Sequence, residues 1–328
     1  MGYIGAPFSD IESVRRQRRT TAPKSRHDQL FKDLVGTFLP DFLGLVAPAP
    51  AARLEMTRWK LLDKETFTDW PEGRRRELDL LAEVSLRGGE GRTALIHVEI
   101  EARSRPELGL RLAGYYMQLR LRHGRPVIPI ALCLRRGRGG VSVEQVSDAE
   151  LGPEIACFRY YAFGLAGCRA EDYLDRAEPL AWALAALMRP AALTPAEHKL
   201  ACLRRIAAAR LDDLPRFLLV NCVETYLQLD DRDAAELESL EAGGGDEEVR
   251  TMRKTWAEQL EEKGMEKGVR QGVEQGVRQT LLRLLGARFG PLTEDIRRRV
   301  EGIRSVERLN EMAEQILVAR SLEEMGLR

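Results

Sequence analysis

Two neighbouring stretches of the chain alternate between apolar and polar residues. In residues 77–86 and 93–101 every second side chain is apolar, and the glycine-rich residues 87–92 lie between them. A two-residue period is typical of a β-strand, because successive side chains point to opposite faces of a sheet. A short glycine-rich connection is typical of a hairpin turn. The apolar positions are Leu78, Leu80, Ala82, Val84 and Leu86, then Ile96, Val98 and Ile100. The pattern predicts an antiparallel hairpin.

Acidic side chains occupy the other face of this predicted hairpin. Asp79 lies in the first arm, and Glu99 and Glu101 lie in the second. Carboxylate oxygens are preferred ligands of Mg²⁺, which promotes phosphate chemistry. Like charges on one face repel and Glu is a poor strand former, so the arrangement needs compensation. The same alternation is typical of a hairpin with one solvent-exposed face. An active site and an ordinary wet surface therefore stay open as alternatives.

The charge of the chain is balanced overall but uneven locally. The 328 residues contain 51 Lys and Arg and 51 Asp and Glu, so the net charge does not indicate a nucleic-acid partner. Residues 1–24 are rich in arginine and lack sustained periodicity, which predicts a mobile basic arm. A further basic run at residues 74–76 directly precedes the hairpin. These runs weakly favour a phosphate-bearing partner.

Cysteine usage and the length of apolar runs exclude several classes of protein. The five cysteines are widely spaced and include no CxxC pair, which argues against a disulfide framework and against a zinc site. No N-terminal apolar segment is typical of a signal peptide, and no run of about 18 apolar residues is long enough to span a membrane. We expect a cytoplasmic protein with no membrane partner.

The residues around the hairpin predict an α/β core at residues 25–165. Residues 27–38 and 106–123 carry apolar side chains at helical spacing. Residues 127–134 form a continuous apolar run typical of a buried strand, and residues 155–163 predict a further strand. A mixed sheet flanked by helices is the arrangement that buries these elements together.

The helix predicted at residues 106–123 has two different faces. One stripe is apolar, and the stripe beside it holds Arg111, Tyr115, Gln118 and Arg122, which lie at spacings of four, seven and eleven residues. The helix therefore presents a polar and basic front directly after the acidic hairpin.

Beyond the core, the chain is predicted to be wholly helical. A helical extension at residues 166–242 ends at a run of three glycines. One long helix follows at residues 246–290, and a compact helical module follows at residues 291–328.

The long helix contains a glycine at every fourth position, beside a row of Met and Val. These glycines are Gly264, Gly268, Gly272 and Gly276. Each interior glycine costs about 1 kcal/mol of helix stability relative to Ala. We interpret the segment as a flexible or self-associating connector. A low-complexity linker without a specific role is an equal alternative.

Several motifs together resemble a known family in their order and spacing. They are His27-Asp28-Gln29-Leu30-Phe31-Lys32, Glu77-Leu78-Asp79-Leu80-Leu81, Ile96-His97-Val98-Glu99-Ile100-Glu101, Arg111 to Tyr116 and Val127 to Leu134. With the glycine-repeat helix and the C-terminal helical module, the chain resembles the recombination-promoting nuclease and transposase-like family. That family is a branch of the PD-(D/E)XK nuclease superfamily. The specific motifs are confined to about residues 27–135.

The resemblance implies a Mg²⁺-dependent DNA endonuclease on a restriction-endonuclease-like core, with Mn²⁺ as an alternative metal. Asp79 and Glu99 match the two metal-binding carboxylates of the superfamily, and the main-chain carbonyl of Ile100 matches a further ligand. The resemblance also implies that DNA phosphates are supported by three basic or polar side chains: Lys32, Arg111 and Gln118. The resemblance further implies that copies of this chain form a homo-oligomer through their C-terminal helices.

Glu101 is a departure from the family pattern. The superfamily has Lys at this third catalytic position and the family often has Gln. A carboxylate cannot supply the positive charge that Lys gives to the attacking water or the transition state. The alternative is therefore a catalytically impaired member that serves as a DNA-binding or oligomerising scaffold.

Overall fold

The computed structural model describes residues 26–62, 66–68, 75–89, 91–102, 107–135, 139–148 and 152–327. These residues fall into two units, one within residues 1–250 and one within residues 251–328. The first unit contains a mixed β-sheet with flanking helices, and the second is helical. The predicted α/β class with a helical C-terminal region is thereby confirmed. The predicted basic arm at residues 1–24 lies outside the described residues.

The described strands all belong to the first unit. They are β1 Leu54–Leu61, β2 Thr66–Thr68, β3 Arg75–Glu77, β4 Leu80–Leu86, β5 Thr93–Glu101, β6 Val127–Cys133, β7 Gly140–Asp148 and β8 Ala156–Gly164. Six of them form one sheet in the order β1-β4-β5-β6-β8-β7, while β2 pairs with β3 separately. Strands β5, β6 and β8 run parallel to one another, and the other pairs are antiparallel. The sheet is therefore mixed.

Helices precede, interrupt and follow this sheet. In the described part of the chain they are α1 Arg26–Thr37, α2 Leu39–Val46, α3 Pro48–Ala51, α4 Leu108–His123, α5 Ala170–Leu174, α6 Pro179–Ala185, α7 Pro195–Ala208, α8 Asp213–Tyr226, α9 Asp231–Gly243, α10 Glu247–Phe289, α11 Glu294–Glu301 and α12 Val306–Val318. Helix α4 connects β5 to β6, because parallel neighbours need a crossover connection rather than a tight turn.

The β4–β5 hairpin forms at the predicted place. Its ladder runs from the pair Leu80 and Val98 to the pair Ser85 and Thr93. The connection contains Gly88 with φ of 65° and Gly91 with φ of 70°. A Cβ atom is strained at such angles, which explains why glycines occupy this turn.

Both faces of the hairpin are covered. Helix α4 packs on one face, where it forms a buried cluster with the sheet: Leu78, Leu81, Leu95, Tyr115, Leu119 and Val127. Helix α1 packs against β4 and β5, and there the indole Nε1 of Trp59 donates to the carbonyl of Gly36 at 3.0 Å. The alternative of a solvent-exposed hairpin face is therefore wrong.

The first predicted arm of the hairpin is interrupted at Asp79. Strand β3 ends at Glu77 and β4 begins at Leu80, so the chain bends between them. Leu78 consequently joins the cluster beneath α4, whereas Leu80 lies near Gly36 of α1. The prediction that Leu78 and Leu80 share one face is wrong, because the bend breaks the two-residue alternation.

Two strands of the sheet lie where the sequence pattern does not indicate them. Strand β1 begins at Leu54, directly after two short helices, in a stretch for which no strand is predicted. Strand β7 is not predicted, because it is half-exposed and rich in polar residues. The predicted helical extension at residues 166–242 begins with two short helices, α5 and α6, and Pro179 begins the second one.

Helices α5 to α9 complete the first unit. Helix α7 begins with a capping box in which the Thr194 hydroxyl accepts from the N–H of Glu197. Such a cap stabilises a helix by about 1 kcal/mol. Between α7 and α8 the buried Lys199 and Glu224 pair at 2.6 Å, so neither charge is left without a counterion.

The second unit has its own hydrophobic core. Its buried side chains are Leu281, Leu285, Val300, Leu309, Met312, Ile316, Ala319, Met325 and Leu327. The glycine-repeat part of α10 is outside this core, and a Cβ atom added at Gly264, Gly268, Gly272 or Gly276 would meet nothing within 4 Å. Within the described residues, no helix combines the length and apolar composition needed to cross a bilayer.

Candidate active site

The acidic residues of the hairpin meet at one end of the sheet. Asp79 lies in the bend directly before β4, and Glu99 lies near the end of β5. Because β4 and β5 are antiparallel and their ladder ends at the pair Leu80 and Val98, the residues just beyond that pair are neighbours. The hairpin thus brings Asp79 and Glu99 together although 20 positions separate them.

The carboxylate of Asp79 is held by two donors. Its Oδ2 accepts from the N–H of Ile100 at 3.0 Å, so the side chain continues the hydrogen bonding of the sheet beyond the end of the ladder. Its Oδ1 lies 2.9 Å from the Nζ of Lys32, which α1 contributes. The side chain of Asp79 remains 19% exposed, and that of Lys32 is 9% exposed. Asp79 is therefore fixed in position and still open to solvent on one side.

The carboxylate of Glu99 is more deeply buried and has donors on both oxygens. Its Oε1 lies 3.1 Å from Nε2 of His97 and accepts weakly from the N–H of Asp79 at 3.5 Å. Its Oε2 accepts from a guanidinium nitrogen of Arg111 at 3.4 Å. Glu99 is 6% exposed. These contacts satisfy a carboxylate that would be costly to bury alone.

Arg111 connects Glu99 with Glu101. It lies in the first turn of α4, and the same guanidinium nitrogen that contacts Glu99 also donates to Oε1 of Glu101. Tyr115 and Leu119 of α4 pack on this face of the sheet, and Arg111, one turn before Tyr115, reaches the end of β5. The prediction of a polar front is therefore only partly correct: Arg111 faces the acidic residues, whereas Tyr115 of the same stripe is buried.

The two adjacent carboxylates differ in their affinity for protons. Burial raises the pKa of Asp79, the nearby charge of Glu99 raises it further, and Lys32 and the Ile100 N–H offset only part of this rise. Burial also raises the pKa of Glu99, but the hydrogen bond with His97 and the charge of Arg111 outweigh it, so that pKa lies below its usual value. Glu99 thus holds its negative charge more firmly than Asp79.

The remaining predicted site residues differ in their placement. In a strand the N–H and C=O of one residue point to the same side, so the carbonyl of Ile100 faces the Asp79 side with its N–H. Gln118 lies two turns along α4 from Arg111, and its side chain makes no hydrogen bond or ion pair with the described residues. The structure thus brings together Lys32, Asp79, Glu99, Glu101 and Arg111, but not Gln118.

The donor set suits a hard divalent cation. The available ligands are the carboxylates of Asp79 and Glu99 and the carbonyl of Ile100, all of them oxygen donors, which Mg²⁺ prefers. Among the described residues, no group of three or more His, Cys, Asp or Glu side chains is arranged to hold a metal ion. Mg²⁺ is commonly held by one or two carboxylates, with water and phosphate oxygens completing its shell. Two carboxylates therefore fit it.

His97 belongs to this site although it is not among the predicted site residues. It is fully buried beneath α4 and contacts Glu99. A signal was present in the sequence, because a histidine interrupts the otherwise apolar middle of β5. Its role could not be predicted without knowing that this face of the hairpin is covered.

Comparisons with known proteins add no further support. No protein family matches the chain, and no curated protein or solved structure is significantly similar to it. The resemblance drawn from the motifs therefore stays a prediction, and a function must be inferred from the geometry of the site.

Proposed function

We propose that this chain is a Mg²⁺-dependent DNA endonuclease with a restriction-endonuclease-like core, for which Mn²⁺ can replace Mg²⁺. The observation that carries the proposal is the adjacency of Asp79 and Glu99 at the end of the sheet, with Lys32 and Arg111 against them. Placing two carboxylates side by side in a partly buried position costs folding stability. Such costs are concentrated at functional sites.

Each residue has a distinct role in the proposed reaction. Asp79, Glu99 and the carbonyl of Ile100 would hold the metal. Bound there, Mg²⁺ would polarise the scissile phosphate and lower the pKa of the attacking water. Lys32 and Arg111 balance the carboxylate charges before DNA binds, and both carry donors suited to phosphate oxygens. The substrate class, DNA, comes from the family resemblance.

The proposal is tested by cleavage of a supercoiled plasmid. Wild-type protein should nick or linearise the plasmid with Mg²⁺ and not with EDTA. Asp79→Asn should reduce the rate at least about 100-fold, since it removes a metal-binding charge. Glu83→Gln is the matched control, because Glu83 is also an acid of the hairpin and pairs with Arg125 at 2.7 Å, away from the site. Equal activity of wild type and Asp79→Asn would disprove the assignment.

One observation favours a second function, a DNA-binding or oligomerising scaffold. Glu101 takes the position of the usual Lys or Gln and engages the guanidinium of Arg111. Cleavage would then be weak or absent, and binding would depend on charge alone. DNA affinity that falls steeply with salt but is unchanged by Mg²⁺ and by Asp79→Asn would support this alternative.

The scaffold alternative also includes self-association through the C-terminal helices. Helix α10 carries an exposed apolar row at Met265, Val269 and Val273, beside the glycine row. Sedimentation of the full chain and of a chain that ends at residue 250 tests it. A complex lost on truncation would support self-association, and a monomeric full chain would exclude it.

A further inference from the structure

The imidazole of His97 is enclosed by the sheet and α4. His97 lies in the middle of β5, between Leu81 of β4 and Pro129 of β6. It has no solvent exposure, and the ring of Tyr115 meets it edge-on, with centroids 5.7 Å apart and an interplanar angle of 81°. These contacts fix the position and the plane of the imidazole.

Among the described residues, this imidazole makes one polar contact, with Glu99. Its Nε2 lies 3.1 Å from Oε1 of Glu99, and its Nδ1 has no hydrogen-bond partner within the described residues. A buried polar group with unmet hydrogen-bonding capacity costs stability. A leucine at this apolar position would carry no such unmet group, but it would leave Oε1 of Glu99 without its closest donor. The needs of packing alone therefore do not account for a histidine here.

The contact restricts the carboxylate of Glu99. His97 and Glu99 are two residues apart on β5, so their side chains share one face of the strand. The inner oxygen, Oε1, is engaged by His97, while the outer oxygen, Oε2, faces Arg111. A glutamate side chain has several rotatable bonds, and a fixed donor at one oxygen reduces the positions available to the other. Oε2 is thereby directed toward Arg111, whose side chain is 17% exposed.

We infer that His97 is a positioning residue of the candidate active site. It holds Glu99 so that Oε2 faces the place where the divalent cation binds. The inference rests on the proposed function, and it assigns a role to a residue that itself touches neither metal nor DNA. Donors behind ligating carboxylates typically change metal affinity 10- to 100-fold.

Metal binding without DNA is the direct test. Mn²⁺ alone is titrated into purified full-length protein, and free Mn²⁺ is measured by electron paramagnetic resonance. His97→Leu should weaken Mn²⁺ binding about 10- to 100-fold, and it should also lower the thermal unfolding midpoint, because Oε1 of the buried Glu99 loses its closest donor. His97→Gln, which retains an N–H donor, should recover most of the affinity.

The second buried histidine provides a matched control. His198 is 2% exposed and its Nε2 hydrogen-bonds to the carbonyl of Ala185 at 3.0 Å, in the helical extension. His198→Leu should lower the unfolding midpoint and leave Mn²⁺ affinity unchanged. In plasmid cleavage, His97→Leu should change two quantities by different factors. The fold-increase in the Mg²⁺ concentration for half-maximal rate should exceed the fold-decrease in the rate at saturating Mg²⁺.

The outcomes separate this inference from the proposed function. If wild type binds Mn²⁺ and His97→Leu binds it equally well, the positioning role is overturned and the proposed function stands. If His97→Leu and His97→Gln both lose Mn²⁺ affinity together with folding stability, His97 is a structural residue and the inference also fails. If wild type binds no Mn²⁺, both the proposed function and the inference fail.

Discussion

At the scale of single residues, the site is a small network of charges that restrain one another. Ion pairs and hydrogen bonds join three carboxylates and two cations. The position and charge of each side chain therefore depend on its partners. Arg111 contacts both Glu99 and Glu101, and Lys32 contacts Asp79. Single substitutions in this network should therefore change the behaviour of neighbours as well as of the altered residue.

Glu101→Gln should increase DNA cleavage by about tenfold, equivalent to about 1.4 kcal/mol of transition-state stabilisation. The substitution removes one negative charge and leaves the guanidinium of Arg111 free to contact phosphate. The measurement is the single-turnover rate at saturating Mg²⁺. The same change at Glu83, whose partner is Arg125, should have no effect. A slower rate for Glu101→Gln would instead show that Glu101 takes part in the reaction.

His198 should make folding stability dependent on pH. Burial lowers the pKa of His198, although its hydrogen bond to Ala185 and the charge of Glu171 oppose this. The folded pKa is thus below the unfolded value of about 6.5. As pH falls through 6.5, the unfolded chain gains a proton that the folded chain does not. The free energy of unfolding then falls by up to about 1.4 kcal/mol per pH unit until the folded pKa is reached.

Urea unfolding of wild type and His198→Gln between pH 7.5 and pH 5 checks this linkage. The stability of wild type should fall more steeply below pH 6.5 than that of the variant. Parallel curves for the two proteins would show that His198 does not contribute the pH dependence.

At the scale of elements, α10 combines length with a poor intrinsic tendency to be helical. Its repeat glycines have open space around them, so packing does not explain why they are glycines. Each glycine weakens the helix, because its backbone has more conformational freedom in the unfolded chain and loses more of it on folding. The glycine-repeat segment is therefore expected to open locally more often than the rest of α10.

Gly268→Ala should stabilise α10 locally by about 1 kcal/mol. Hydrogen exchange of the amides in residues 260–276 should slow about fivefold. Gly124→Ala is the matched control, because Gly124 also has open space but ends α4 with φ of 62°. There a Cβ atom is strained, and the substitution should destabilise the protein by about 1 kcal/mol. Faster exchange in Gly268→Ala would contradict the expectation.

At the scale of the whole molecule, the chain divides into two units with separate cores. The candidate site lies wholly within residues 1–250, and the core of the second unit is formed wholly by residues after 251. Neither the proposed metal ligands nor their supporting cations come from the C-terminal helices. The chemistry and any self-association should therefore be separable.

A chain that ends at residue 250 should fold and cleave plasmid DNA at a rate within about threefold of the full chain, a difference of less than 1 kcal/mol. The reason is that truncation removes no residue of the site. Circular dichroism and the plasmid assay measure the two properties, and Asp79→Asn in the truncated chain is the inactive control. Loss of cleavage by a well-folded truncated chain would show that the second unit contributes to catalysis.

The elements that could be predicted from sequence are those whose pattern is local. The β4–β5 hairpin, the buried strand β6 and the helix α4 all show a clear period or a continuous apolar run. Strands β1 and β7 have weak alternation, and β7 is half-exposed. They become strands because they pair with neighbours already in the sheet, and that pairing involves residues distant in the chain.

The sequence by itself determined which residues form the candidate site: an acid before one strand, two acids at the end of the next, and an arginine on the helix that follows. Periodicity depends on neighbours only a few positions apart, so it is visible in one chain. Only the tertiary structure decided that both faces of the hairpin are buried, that Lys32 reaches Asp79 and that His97 lies behind Glu99. Those facts depend on how α1 and α4 pack across the sheet, because burial and hydrogen-bond partners come from residues far apart in sequence.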